Sequence, residues 1–133
     1  MQETDRDTFI QKSKEYYSRI GSIACPAFDG ELIYFNKHGF NHLLRKGRKF
    51  RDPEEQFRRL MLLRYAPYII SQSHTFSDYK ENHVDSQPAY FWTLHRYVHG
   101  ASIWIVIRKL NCGRKHFFSI MGQVNEKGPV KDL

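Results

Sequence analysis

The sequence predicts an α+β domain in which N-terminal helices pack on a C-terminal antiparallel four-stranded sheet. Three observations carry this. Apolar residues recur at helical spacing in the first half of the chain and at strand spacing in the second. Aromatic and β-branched residues crowd segments 90–98, 102–110 and 114–122, as strands require. The helical segments all precede the long strands, which is the order of an α+β fold and not of alternating α/β units. At 133 residues the chain fits one domain, and with 41% apolar and 15% aromatic residues it can bury a real core and resist disorder. Along the chain this gives an N-terminal helix (1–21), a hairpin and helices (22–73), a β-meander (74–122) and a flexible tail (123–133).

Each element has a local cause. The first helix covers about 5–20, with Phe9, Ser13, Tyr16, Tyr17 and Ile20 on one face and Gly21 as its stop. Apolar residues 23–28, an Asp29-Gly30 turn and residues 32–35 form a small hairpin. Asn36 caps a short helix reaching about Lys46, which buries Phe40, Leu43 and Leu44 and is ended by Gly47. Asp52-Pro53-Glu54-Glu55 starts a third helix with a cap residue, a first-position proline and acids in the first turn. Phe57, Leu60, Met61 and Tyr65 bury that helix, and Pro67 kinks or restarts it before residues 71–73 break the pattern. A first strand covers 75–80, and polar residues 81–87 form a loop.

Turn chemistry sets the register of the three long strands. A two-residue His99-Gly100 loop places His95 opposite Trp104 and Phe91 opposite Arg108. A three-residue Asn111-Cys112-Gly113 loop, with its glycine left-handed, places Arg108 opposite His116. One face then carries Trp92, Leu94, Val98, Ile103, Ile105, Ile107, Phe117, Ser119 and Met121 and packs on the helices. The other carries Phe91, Thr93, His95, Tyr97, Trp104, Val106, Arg108, His116 and Phe118, a mixed aromatic and cationic surface.

Charge narrows the chemistry. Net charge is +7 and the pI is near 9.5, which suits a polyanion or an acidic protein partner. The segments 32–51 and 86–125 contain no Asp or Glu, yet both are rich in His, Arg and Lys. That composition disfavours paired-carboxylate catalysis and a carboxylate-built magnesium site. It favours phosphate held by arginine and protons moved by imidazole. His42 lies off the buried stripe of its helix, beside Arg45 and Lys46 at i+3 and i+4. His38 and His42 have the spacing of a helical metal pair, but no nearby Cys or carboxylate supplies a third ligand, so no metal site is expected. His38, His74, His83 and His99 read as surface, capping or turn residues. Cys25 reads as a small buried hydrophobe, and two cysteines without a CxxC pattern suit a reducing compartment.

The segments Gly39-Phe40-Asn41-His42-Leu43-Leu44, Tyr90-Phe91-Trp92, Val106-Ile107-Arg108 and Lys115-His116-Phe117-Phe118-Ser119-Ile120-Met121, in this order, carry a family resemblance. They resemble a phage-associated family of the barnase–EndoU–colicin–RelE-like nuclease superfamily, over about residues 25–121. The resemblance implies a barnase/RelE-like fold and a metal-independent endoribonuclease, in keeping with toxins and phage-encoded RNases. On the matching positions it implies His42, Arg108 and His116 as the catalytic set, with Ser119 a further candidate. A barnase-type sheet glutamate is lacking, which gives the role of base to a histidine.

The expected reaction is attack of the RNA 2′-OH on the adjacent phosphate without metal or cofactor. His42 and His116 serve as acid and base, in an order left open, and Arg108 stabilises the phosphorane. Lys37, Arg45, Lys46, Arg48, His95, Trp104 and Lys115 are expected to bind RNA or its phosphates, and Thr93 is a further candidate on the same face. Expected partners are RNA and an acidic antitoxin or immunity protein, with no membrane. The expected location is the cytoplasm, or a target cytoplasm after delivery. The alternatives are a non-catalytic RNA- or DNA-binding module on the same scaffold, and a decayed phage-derived interaction domain.

Overall fold

Helix α1 (Glu3–Ile20) opens the chain in the computed structural model, which describes residues 3–124. It is followed by β1 (Ser22–Cys25), a 3-10 turn (Pro26–Phe28), β2 (Glu31–Tyr34) and α2 (Lys37–Leu44). Two very short strands, β3 (Arg45–Lys46) and β4 (Lys49–Phe50), lead into α3 (Pro53–Leu62) and α4 (Ala66–Gln72). The strands β5 (Asp78–Val84), β6 (Gln87–Val98), β7 (Ala101–Leu110) and β8 (His116–Val124) complete the domain. Helices and sheet segregate, so the α+β class holds. Among the described residues no helix is long and apolar enough to cross a membrane.

The sheet is larger than expected. It has six strands in the order β1-β2-β8-β7-β6-β5, not four. The expected antiparallel meander forms its larger part, and the β1–β2 hairpin joins it in parallel to β8 through Tyr34 and His116. The join is short: the Tyr34 N–H donates to the Lys115 carbonyl at 3.0 Å. A hairpin read alone gives no sign that its outer edge will pair with a strand some eighty residues later, and this is the source of the miscount.

Both long registers follow from their turns. His99 and Gly100 have positive φ (50° and 82°), the twist of a type I′ loop, and His95 pairs with Trp104 and Phe91 with Arg108. Arg108 pairs with His116 as expected. Asn111, not Gly113, takes the left-handed conformation there (φ 49°), because an asparagine side chain tolerates it. The segment read as a loop, 81–87, is instead the tip of the β5–β6 hairpin. Asp85 and Ser86 turn it with φ of 50° and 67°, a type I′ pair made without the glycine that usually announces one.

A β-bulge corrects the sorting of faces beyond Phe117. Ile107 pairs with Phe117 but Val106 pairs with Ser119, so Phe118 is an extra residue on β8. Ser119 is thereby moved to the face of Arg108, Ile120 fills the core, and Met121, expected in the core, is 42% exposed. The core itself joins Leu94, Ile103, Ile105, Phe117 and Ile120 of the sheet to Tyr17, Phe40, Leu43, Leu63 and Ile69 of the helices. Burial of such side chains is worth about 1.5–3 kcal/mol each. Tyr16 and Phe57 were expected to be buried and face outward, while Leu62 and Leu63 take the core positions expected of Met61 and Tyr65. Helix α3 buries Gln56, Leu60 and Leu62, and the 3-10 turn Leu63–Tyr65 that follows buries Leu63 before Pro67 restarts the chain in α4. Gln123 and Val124, expected in a flexible tail, belong to β8, and residues 125–133, the rest of that expected tail, lie outside the described part.

Candidate functional site

Helix α2 packs against β8. The Asn36 side chain accepts from Gly39 N–H at 3.2 Å and starts the helix, a cap worth about 1 kcal/mol. Gly39 then lies so close to β8 that an added Cβ would overlap the Phe117 carbonyl and sit 2.5 Å from the Tyr17 hydroxyl. Only glycine permits this approach, and the approach carries His38 and His42 to the bulged part of β8. The helix ends at Leu44, earlier than expected. Gly47 turns the β3–β4 hairpin instead (φ 67°).

An open cleft of about 290 Å³ results, lined by His38, Asn41, His42, Arg45, Gly47, Arg108 and Phe118. Phe118 is its hub. The His42 ring stacks on it at 4.2 Å, the Arg108 guanidinium carbon lies 4.2 Å from its centroid, and the His116 ring stands at 6.5 Å, edge-on. The bulge thus puts an aromatic floor where three polar groups meet.

Arg108 and His116 form the buried part of the site, at 8% and 5% exposure. Arg108 Nε donates to His116 Nε2 at 3.0 Å. That nitrogen is therefore the acceptor of a neutral ring, and the ring proton resides on Nδ1. Among the described residues no carboxylate is within ion-pair reach of Arg108. A buried guanidinium with only an imidazole and a ring for company keeps unspent donors on both Nη atoms. Burial, then the charge of Arg108, lower the His116 pKa to about 4, against a raising backbone hydrogen bond at Arg114.

His42 is in the same condition for a different reason. Arg51, which the sequence offers only as the end of the basic run 45–51, donates from Nε to the His42 carbonyl at 3.0 Å, and its Nη2 stands 3.2 Å from His42 Nε2. Burial, followed by the charges of Arg51, Arg59, Arg108 and Lys46, lowers the His42 pKa to about 4. Both imidazoles are thus neutral near pH 7. Arg59, missed by the sequence reading, reaches from α3 to Ser119 Oγ at 3.0 Å and to the Ile120 carbonyl at 3.1 Å, and pairs with Glu55 at 2.7 Å. No motif signalled Arg59, since its role depends on where α3 lies against β8. His38, read as a surface group, lines the cleft with its ring 6.4 Å from that of His116.

No family model, curated protein or solved structure matches the chain. The remaining sequence candidates are therefore placed by geometry alone. Arg45 lines the cleft and covers Phe50, with its guanidinium carbon 4.0 Å from the ring. Lys46 and Arg48 are exposed on the hairpin beside it, and Lys37 is exposed in the first turn of α2. His95 and Trp104 stack at 4.9 Å on the Arg108 face, with Thr93 on the same face, but none of the three lines the cleft. Lys115 is a correction. Its ammonium pairs with Glu31 at 2.8 Å and lies over Trp92 and Phe28, on the face opposite Arg108. The parallel β2–β8 contact supplies the carboxylate that the acid-free segment lacked. Ser119 is turned to the Arg108 face by the bulge, where it accepts from Arg59.

Proposed function

We infer that this chain is a metal-independent endoribonuclease, and that its catalytic groups are His42, Arg108 and His116. One observation carries the reading: a buried arginine with no carboxylate partner among the described residues, hydrogen-bonded to a buried histidine, at the edge of a cleft lined by further histidine and arginine. Such a guanidinium is completed by an anion. Its two free Nη groups match the oxygens of a phosphodiester. The surrounding positive charge repels a divalent cation and favours groups on the protein for every proton transfer.

The chemistry follows from the protonation states. Arg51 Nη2 donates to His42 Nε2 in the free site; once that donor turns to the phosphate, His42 Nε2 can take the 2′-OH proton, while Arg108 compensates charge on the phosphorane. The other step needs a protonated imidazole, which the free site lacks. A bound phosphate supplies negative charge beside Arg108 and Arg51 and so raises both histidine pKa values; with Arg108 turned from His116 Nε2 to the phosphate, that nitrogen takes the second proton and gives it to the 5′-oxygen leaving group. The same depressed values favour a second reading, a non-catalytic RNA-binding module, because a site without a proton donor can grip a phosphate and do nothing to it.

The reading extends to the fold and to partners. The helices packed on β5–β8 support a barnase/RelE-like arrangement enlarged by the β1–β2 hairpin. The cationic cleft would be closed by an acidic antitoxin or immunity protein, as expected of a phage-associated toxin acting in a cytoplasm.

Incubation with total RNA in EDTA, with mapping of the cut ends, tests the proposal. Fragments ending in 2′,3′-cyclic phosphate and 5′-OH are expected, and His42→Ala should abolish cutting while retaining most RNA binding. Cutting that requires added metal refutes the mechanism. Binding without any cutting leaves the second reading.

A further inference from the structure

The β3–β4 hairpin stands beside the cleft and presents a ring that contributes nothing to the core. Phe50 is 64% exposed, the most exposed large hydrophobic side chain among the described residues. Its register partner is Arg45, whose guanidinium covers the ring. Arg45 and Gly47 also line the cleft, so ring, guanidinium and cleft wall are continuous. The hairpin is pinned at its base. Arg51 N–H donates to the Leu44 carbonyl at 2.8 Å and Arg51 Nε to the His42 carbonyl at 3.0 Å. Gln56 Nε2 donates to the same Leu44 carbonyl at 3.1 Å. The groups that fix His42 therefore also fix the position of Phe50.

We propose that Phe50 and Arg45 form a stacking subsite for one nucleobase of single-stranded RNA, adjoining the phosphate held by Arg108. The proposal rests on the RNA reading above and names the form of RNA that the cleft takes. The guanidinium uses one face of the ring, and an unpaired base can lie on the other. Base–aromatic stacking tolerates any sequence, because every base offers a π-face. It excludes a duplex, whose base faces are already covered. Lys46, Arg48 and Lys49 on the same hairpin are exposed and placed to follow the flanking phosphates.

The test is binding of a short, labelled 2′-O-methyl RNA, which cannot undergo 2′-OH attack, measured by fluorescence anisotropy at fixed salt. Phe50→Ala is expected to weaken binding about tenfold without changing the melting temperature. Phe50→Trp should restore it and Phe50→Leu should not. One abasic position in the oligonucleotide should cost the wild type a similar factor and cost Phe50→Ala nothing more. Equal affinity of Phe50→Ala and wild type, rescue by leucine, or equal Phe50 dependence with duplex RNA overturns the subsite. So does a wild type that binds no oligonucleotide. The two proposals fail separately. Phe50-dependent binding with uncut total RNA removes the nuclease reading alone, and cutting with a Phe50-independent affinity removes the subsite alone.

Discussion

Gly39→Ala tests how tightly activity depends on the seat of α2. Beyond its overlap with the Phe117 carbonyl, the added Cβ would stand 2.9 Å from Phe117 Cδ2. Ordinary contacts need about 3.4 Å or more, and a backbone carbonyl cannot rotate away as a side chain tip can. The helix must therefore back off β8 by about 1 Å, at a cost of about 1–3 kcal/mol for an overpacked contact. It carries His38 and His42 with it and opens the His42–Phe118 stack. A displacement of that size in a catalytic constellation lowers rates about 10²-fold. The expected result is a moderate fall in the urea midpoint with an unchanged m-value, and a much larger fall in RNA cleavage. The residue touches neither RNA nor any histidine. Wild-type stability together with wild-type cleavage would refute the claim that the α2–β8 approach sets the site.

Arg108→Lys keeps a positive charge but loses both the Nε donor to His116 and the paired Nη donors. Cleavage should fall at least 10²-fold while the salt dependence of RNA binding stays nearly unchanged, which cleavage kinetics and salt titration can check. The pH dependence of stability has a definite sign. His42 and His116 titrate near 4 when folded and near 6.5 otherwise, so the unfolded chain binds more protons in that window. Their contribution is complete above about pH 6.5 and is lost as pH falls toward 4. Inorganic phosphate should recover more of the melting temperature at pH 5 than at pH 7, and equal recovery at both would contradict the linkage. Lys115→Ala should lower thermal stability slightly, through its pair with Glu31 and its contact with Trp92. It should leave RNA affinity almost unchanged, and a large loss of affinity would return it to the binding surface.

The sequence carried the parts of this architecture that depend on short stretches of chain. The His99-Gly100 loop alone determines that Phe91 faces Arg108, and the Asn111–Gly113 loop that Arg108 faces His116. His42 could be singled out because it stands off the Phe40–Leu43 stripe of its own helix. What could not be read was whatever depends on two distant stretches meeting. The bulge at Phe118 has no glycine or proline to mark it, yet it decides which way Ser119 and Met121 point. Arg59 becomes a site residue only because α3 lies against β8, Arg51 because the β3–β4 hairpin folds back on α2, and Lys115 leaves the site only because β2 brings Glu31 to it.

The place of β8 in the sheet has a consequence for the newly made chain. This strand comes last in synthesis among the described elements, yet it lies between β2 and β7 and supplies His116 and Phe118. A ribosome-bound chain ending before it holds His42 and Arg108 with no ring to stack on and no imidazole to bond. Insertion of a late strand between two earlier ones also closes long loops, which slows folding. If the cleft cuts RNA, the site is complete only after β8 has been made and inserted between β2 and β7, and the ribosome that makes the chain is spared from it until then.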